Sequence, residues 1–111
     1  MTGGQPVRDV PAADVPNDAW LLDVREPAEW VAGHVPGAVH IPLGQLNVRS
    51  DEIPRAETIY VICRSGHRSA RVVQALAGAG WQAVNVAGGM QHWAAAGRPM
   101  IAESGSAPVV A

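Results

Sequence analysis

The sequence predicts an α/β domain built on a parallel sheet, and two observations carry that reading. Three short runs, residues 19–24 (AWLLDV), 58–62 (TIYVI) and 83–87 (AVNVA), are almost continuously apolar, as strands covered on both faces require. Between and after them lie three helical candidates, residues 26–32, 69–78 and 90–96, so strand and helix alternate along the chain. In the second candidate Ser69, Val72, Val73 and Leu76 fall at helical spacing, and Gly78-Ala79-Gly80 supplies the stop.

At 111 residues the chain is long enough for one domain with one core. Residues 1–5 read as a flexible start, residues 6–100 as the domain and residues 101–111 (IAESGSAPVVA) as a flexible tail of small residues. The formal net charge is −2 and no basic block occurs, which argues against a nucleic-acid groove or a membrane-surface helix. No apolar stretch reaches transmembrane length, and MTGGQPVRDVPAADVP lacks the basic start and hydrophobic core of a secretory signal. The expected location is therefore cytoplasmic, and a single free cysteine fits a reducing compartment.

That cysteine, Cys63, stands between the 58–62 run and the loop Arg64-Ser65-Gly66-His67-Arg68, which opens into a helical pattern. A thiol at the carboxyl end of a strand and facing a helix start has backbone N–H groups and two guanidinium groups at hand to stabilise its anion. The magnitude matters: a free thiol with a pKa of about 8.5 is only slightly ionised at neutral pH, and a drop of roughly two units makes it mostly thiolate. The competing reading is an inert buried cysteine, since free cysteine is among the most buried residue types. A basic, glycine-containing loop favours the nucleophile. Two other strands also end in distinctive residues, Asp23-Val24-Arg25-Glu26 and Gly88-Gly89, and open α/β sheets build their sites beyond such ends.

Two further segments complete a pattern: LLDVREPAEWVAGHVPGAVHIPL at 21–43, with Glu29 and the Gly33-His34-Val35-Pro36-Gly37-Ala38 run, and VAGGMQHWAAAGRPM at 86–100, with Trp93. Together with the Cys63 loop they resemble a single-domain rhodanese over residues 7–100. The resemblance implies a three-layer rhodanese-like domain, a five-stranded parallel sheet with helices on both faces. It also implies a sulfurtransferase, in which the Cys63 thiolate takes sulfane sulfur from thiosulfate or a related donor as a persulfide. Cyanide or a thiol acceptor, including a protein sulfur acceptor, then removes that sulfur. No cofactor and no metal is implied, and the four histidines are scattered.

On this reading the backbone N–H groups of Arg64, Ser65, Gly66, His67, Arg68 and Ser69 cradle the outer sulfur, as an oxyanion hole cradles oxygen. Arg64 is the expected contact for an anionic donor. Arg68 is expected to be structural and to pair with Asp23, which, with Arg25, supports the loop; Asp23 accepting loop N–H bonds is the other possibility. His67 is within the loop, but transfer from a preformed thiolate needs no proton shuttle. His34 is expected to stabilise a turn, and Trp20, Trp30, Trp81 and Trp93 to pack in the core.

Three other functions compete. Dual-specificity phosphatases and arsenate reductases resemble rhodaneses in fold but need a loop one residue longer, whereas four residues separate Cys63 from Arg68. A non-catalytic interaction module would have no need of the cysteine and its loop. A persulfide carrier shares the chemistry and differs only in its partner.

Overall fold

Five strands form one parallel sheet: β1 (Asp9–Pro11), β2 (Trp20–Asp23), β3 (Val39–His40), β4 (Thr58–Ile62) and β5 (Gln82–Ala87), in the order β1-β5-β4-β2-β3. The computed structural model describes residues 7–111, so the flexible start expected at 1–5 lies outside the described residues. Four α-helices connect and follow the strands: α1 (Pro27–Ala32), α2 (Leu46–Arg49), α3 (His67–Gly78) and α4 (Gly89–Ala95). The three apolar runs are the three inner strands. The two edge strands were not read from periodicity, because β1 and β3 are short and neither contains a fully buried residue.

Alternation along the inner strands divides the core in two. Leu22, Val24, Ile59, Val61 and Cys63 face one side, where Val72, Val73 and Leu76 of α3 cover them together with Ile53 and Trp81. Leu21, Ile62 and Val86 face the other, against Met90 and Trp93 of α4 and Ala12, Val15 and Val35. Each fully buried aliphatic side chain contributes about 1.5–3 kcal/mol, so the two α3 valines and Leu76 outweigh the weak intrinsic preference of valine for helix. Trp81 and Trp93 are core residues as expected. Trp20 and Trp30 are only half-buried, and Trp30 stacks instead on His34 and His40, at centroid distances of 3.5 and 4.7 Å.

The tail corrects an expectation. Residues 101–111 are hydrogen-bonded back onto the domain: Ile101 and His34 exchange two backbone bonds of 2.9 Å, and the amides of Glu103 and Val109 donate to the Val31 and Ala32 carbonyls. Val110 packs on the second core cluster. Small residues gave no periodic signal because the attachment is mostly through backbone, which any sequence can supply. One position is specific: a Cβ at residue 33 would lie 2.5 Å from the Val109 carbonyl oxygen, so the approach requires Gly33.

The end of β2 holds a buried ion pair. Asp23 and Arg25 are both 0% exposed, and the Asp23 carboxylate accepts from Arg25 Nε at 3.0 and 3.1 Å and from Nη2 at 2.8 Å. The same guanidinium donates to the Gly33 carbonyl at 2.8 Å, which fastens the end of β2 to the end of α1. Asp23→Ala leaves Arg25 buried without its counter-ion, and a loss of about 3–5 kcal/mol in unfolding free energy is expected by denaturant titration. A loss under about 1 kcal/mol contradicts this account of the strand end.

Candidate active site

The chain turns sharply after β4. Gly66 adopts φ 104°, a left-handed conformation that side chains disfavour, and α3 begins at His67, two residues earlier than the apolar spacing suggests. The turn aims donors at a single atom. Cys63 Sγ accepts the Gly66 amide at 3.1 Å, the Ser69 amide at 3.4 Å and the Ser69 hydroxyl at 3.2 Å. Cys63 itself is 1% exposed. Burial pushes the thiol up, but the Ser69 hydroxyl and the amides of Ser69, Gly66 and Ser65 outweigh it and leave the thiol below its ordinary value. Donors converging on sulfur make the thiolate easier to form, which a nucleophile needs and an inert core thiol does not.

A backbone seam holds the loop from below. The Met90 amide donates to the Cys63 carbonyl at 2.8 Å and the Gln91 amide to the Arg64 carbonyl at 3.0 Å. This contact explains the glycine pair: Gly89 has φ 55°, and a Cβ there would lie 2.3 Å from the Cys63 carbonyl oxygen. The three distinctive strand ends thus meet through β2, β4 and the β5–α4 junction.

The charged residues pair differently from the expectation. Arg68 donates from Nη1 and Nη2 to Glu29 Oε1 and Oε2 at 2.7 and 2.8 Å, a two-bond fork between α3 and α1. Asp23 does not reach Arg68, because Arg25 two residues on already saturates its carboxylate. Asp23 also accepts the Arg25 amide at 3.0 Å, and none of the loop amides. Arg64 is exposed, with Nε donating to the Ala111 carbonyl at 2.9 Å. His67 is exposed and its Nδ1 lies 3.1 Å from the Ser65 hydroxyl. His34 is buried against the Val35 carbonyl and Glu103, and His40 bonds the Arg25 carbonyl, so both serve the region around α1.

Two residues of the site carried no assigned role in the sequence reading. Glu29 stood in a recognised motif, and its acidic character opposite an unpaired loop arginine was the available signal. Asn85 was the second: a polar residue inside the 83–87 apolar run, it is 4% exposed and bonded to Ser69.

The rhodanese-like domain family model matches residues 11–96. A "Sulfurtransferase" of Allochromatium vinosum is 36% identical over 89 residues, which cover 79% of this chain and 83% of that protein. The Bacillus subtilis protein named "Putative sulfur carrier protein YrkF" is 43% identical over 74 residues, 66% of this chain, and the match spans only 40% of that relative's length. Among solved structures, a rhodanese-related protein from Thermoplasma volcanium superposes with a TM-score of 0.80 at 35% identity, covering 85% of this chain and 97% of its own.

The Glu29–Arg68 fork makes a pH-dependent contribution. The Arg68 hydrogen bonds, opposed by partial burial and helped by the Glu26 amide, hold the Glu29 carboxyl at about 2, below its ordinary 4.5. A carboxyl depressed on folding stabilises fully above its unfolded value, and that contribution is lost as pH falls from about 4.5 to about 2. Glu29→Gln is therefore expected to melt lower than wild type at neutral pH and to show a shallower decline of Tm across that acid window. Parallel Tm curves for the two proteins contradict the pairing.

Proposed function

The chain belongs to the rhodanese-like domain family, and on that premise we propose that it moves sulfane sulfur from thiosulfate or a related donor to cyanide or a thiol acceptor through a persulfide on Cys63. The observation that carries this reading is the convergence of the Gly66 and Ser69 amides and the Ser69 hydroxyl on Cys63 Sγ. Loop amides that favour a sulfur anion in the free protein also suit a persulfide anion one bond further out.

The chemistry balances without an external oxidant or reductant. The Cys63 thiolate attacks the outer sulfur of thiosulfate, the sulfur–sulfur bond of the donor breaks, and sulfite leaves with the bonding pair. Cyanide or an acceptor thiolate then attacks the outer sulfur of the persulfide and Cys63 departs as thiolate. Arg64 is the guanidinium exposed beside the loop, whereas Arg68 is committed to Glu29, so Arg64 is assigned to the donor dianion. Ser65 and His67 complete the loop through their mutual contact, with no proton to move once the thiolate is formed.

A second reading has one observation in its favour. A relative matched over part of its length is named as a sulfur carrier, which makes a protein acceptor a natural alternative to a small thiol. Both readings place the sulfur on Cys63.

Steady-state assays with thiosulfate and cyanide test the proposal. Cys63→Ser is expected to abolish thiocyanate formation, and retained turnover overturns the assignment. Arg64→Ala is expected to raise KM for thiosulfate by up to about tenfold, the scale of one partly screened ionic hydrogen bond, with Tm unchanged. An unchanged KM with a lowered Tm would make Arg64 a stability residue.

A further inference from the structure

Asn85 lies on β5 directly beneath the Cys63 loop, and its hydrogen bonds fix its orientation. One end of its amide faces the Asp9 carboxylate at 2.9 Å and the Gly66 carbonyl at 3.3 Å. Both are acceptors, so that end is the Nδ2 donor. The other end, Oδ1, must then face the Ser69 hydroxyl. That hydroxyl also lies 3.2 Å from Cys63 Sγ, and it has one proton to give.

Two acceptors compete for one proton, and the protonation state of sulfur decides between them. With Cys63 as thiol, its S–H donates to Ser69 Oγ, the Ser69 O–H donates to Asn85 Oδ1, and every group is satisfied. With Cys63 as thiolate, its proton having passed to water, the Ser69 hydroxyl turns to the sulfur and Oδ1 loses its donor inside a dry site. In a persulfide the charge sits on the outer sulfur, Sγ becomes a weak bridging acceptor, and the hydroxyl returns to Asn85.

We propose that Asn85 is a positioning residue for sulfur transfer: it sets the direction of the Ser69 hydroxyl, and thereby opposes the bare thiolate relative to both the thiol and the sulfur-loaded form. This deepens the sulfur-transfer reading and rests on it. The consequence for catalysis follows from nucleophilicity, which falls as a thiol's pKa falls. A thiolate held by every donor at full strength would be abundant and sluggish. Asn85 withholds part of one donor, which keeps the free anion reactive and returns that donor to a partner once sulfur is loaded. Asp9 acts one step further out, by holding the amide in the orientation that presents Oδ1.

The charged and titratable groups on the elements packed around Cys63 are Arg68, forked to Glu29, and Arg71 on α3, with Arg64 and His67 at the loop, Tyr60 on β4, the Asp23–Arg25 pair at the end of β2, His92 on α4 and Asp9 on β1. A substitution at residue 85 removes the bond to Asp9 and none of the other groups' hydrogen bonds, so a change in the titration of Cys63 is attributable to the lost amide and its contacts.

The test is the pH profile of Cys63 alkylation by iodoacetamide in the folded protein, with Tm measured alongside. Asn85→Leu removes the competing oxygen at similar volume and frees the Ser69 hydroxyl for sulfur. It is expected to move the profile to lower pH and to raise the alkylation rate on the acidic limb by up to about tenfold, the scale of one hydrogen bond. Asn85→Ala is expected to move it the same way and carries the test if the leucine variant does not fold. In a Ser69→Ala background, the substitution at 85 should leave the profile unmoved. A merely structural Asn85 would act through its bond to the Gly66 carbonyl, loosen the loop, weaken the amide donors and move the profile to higher pH. A profile shifted to higher pH, an unmoved profile, or a downward shift that persists without the Ser69 hydroxyl overturns the proposal. The titration needs no sulfur donor, so a chain that shows the expected shift but accepts no sulfur would refute the transfer reading alone.

Discussion

The site depends on one constraint: the backbone after β4 must curl tightly enough to point two amides and a hydroxyl at a single buried sulfur. Gly66 makes the curl sterically accessible, and Gly89 lets α4 approach the outside of the same turn closely enough to bond the Cys63 and Arg64 carbonyls. The energetic contest at sulfur follows from that constraint. Burial alone opposes a thiolate, and the converging donors more than offset burial.

The two ion pairs near the loop differ in kind. Asp23–Arg25 is sealed from water, so its worth lies less in attraction than in the penalty of leaving either member alone. Glu29–Arg68 is partly exposed, is screened, and gains from its forked geometry. Their placement gives a division of labour. The first ties the end of β2 to Gly33, and the second ties α1 to the first turn of α3, so the helix whose start faces sulfur is held from the side as well as from below.

The inner strands and the turn that holds Cys63 were legible because each leaves a local signature. Residues 58–62 form a strand as read, and Cys63, Gly66 and Ser69 come together through a turn only a few residues long. What local reading missed is made over distance or by backbone. β1 contributes three residues and pairs with a strand more than seventy residues later, and the tail attaches by amides that no composition announces. The partner of Arg68 was misjudged because Asp23 and Glu29 both precede the loop, and only the local closure of Asp23 with Arg25 decides between them. Asn85 was hidden by the strand it sits in, since one polar residue in an apolar run does not break the strand signal.

The central claim is that Cys63 itself carries the transferred sulfur, and intact mass tests it most directly. After exposure to thiosulfate and removal of excess donor, the protein is expected to gain the mass of one sulfur atom, and to lose it on adding cyanide with stoichiometric thiocyanate. A protein that produces thiocyanate while its mass never changes would contradict the account.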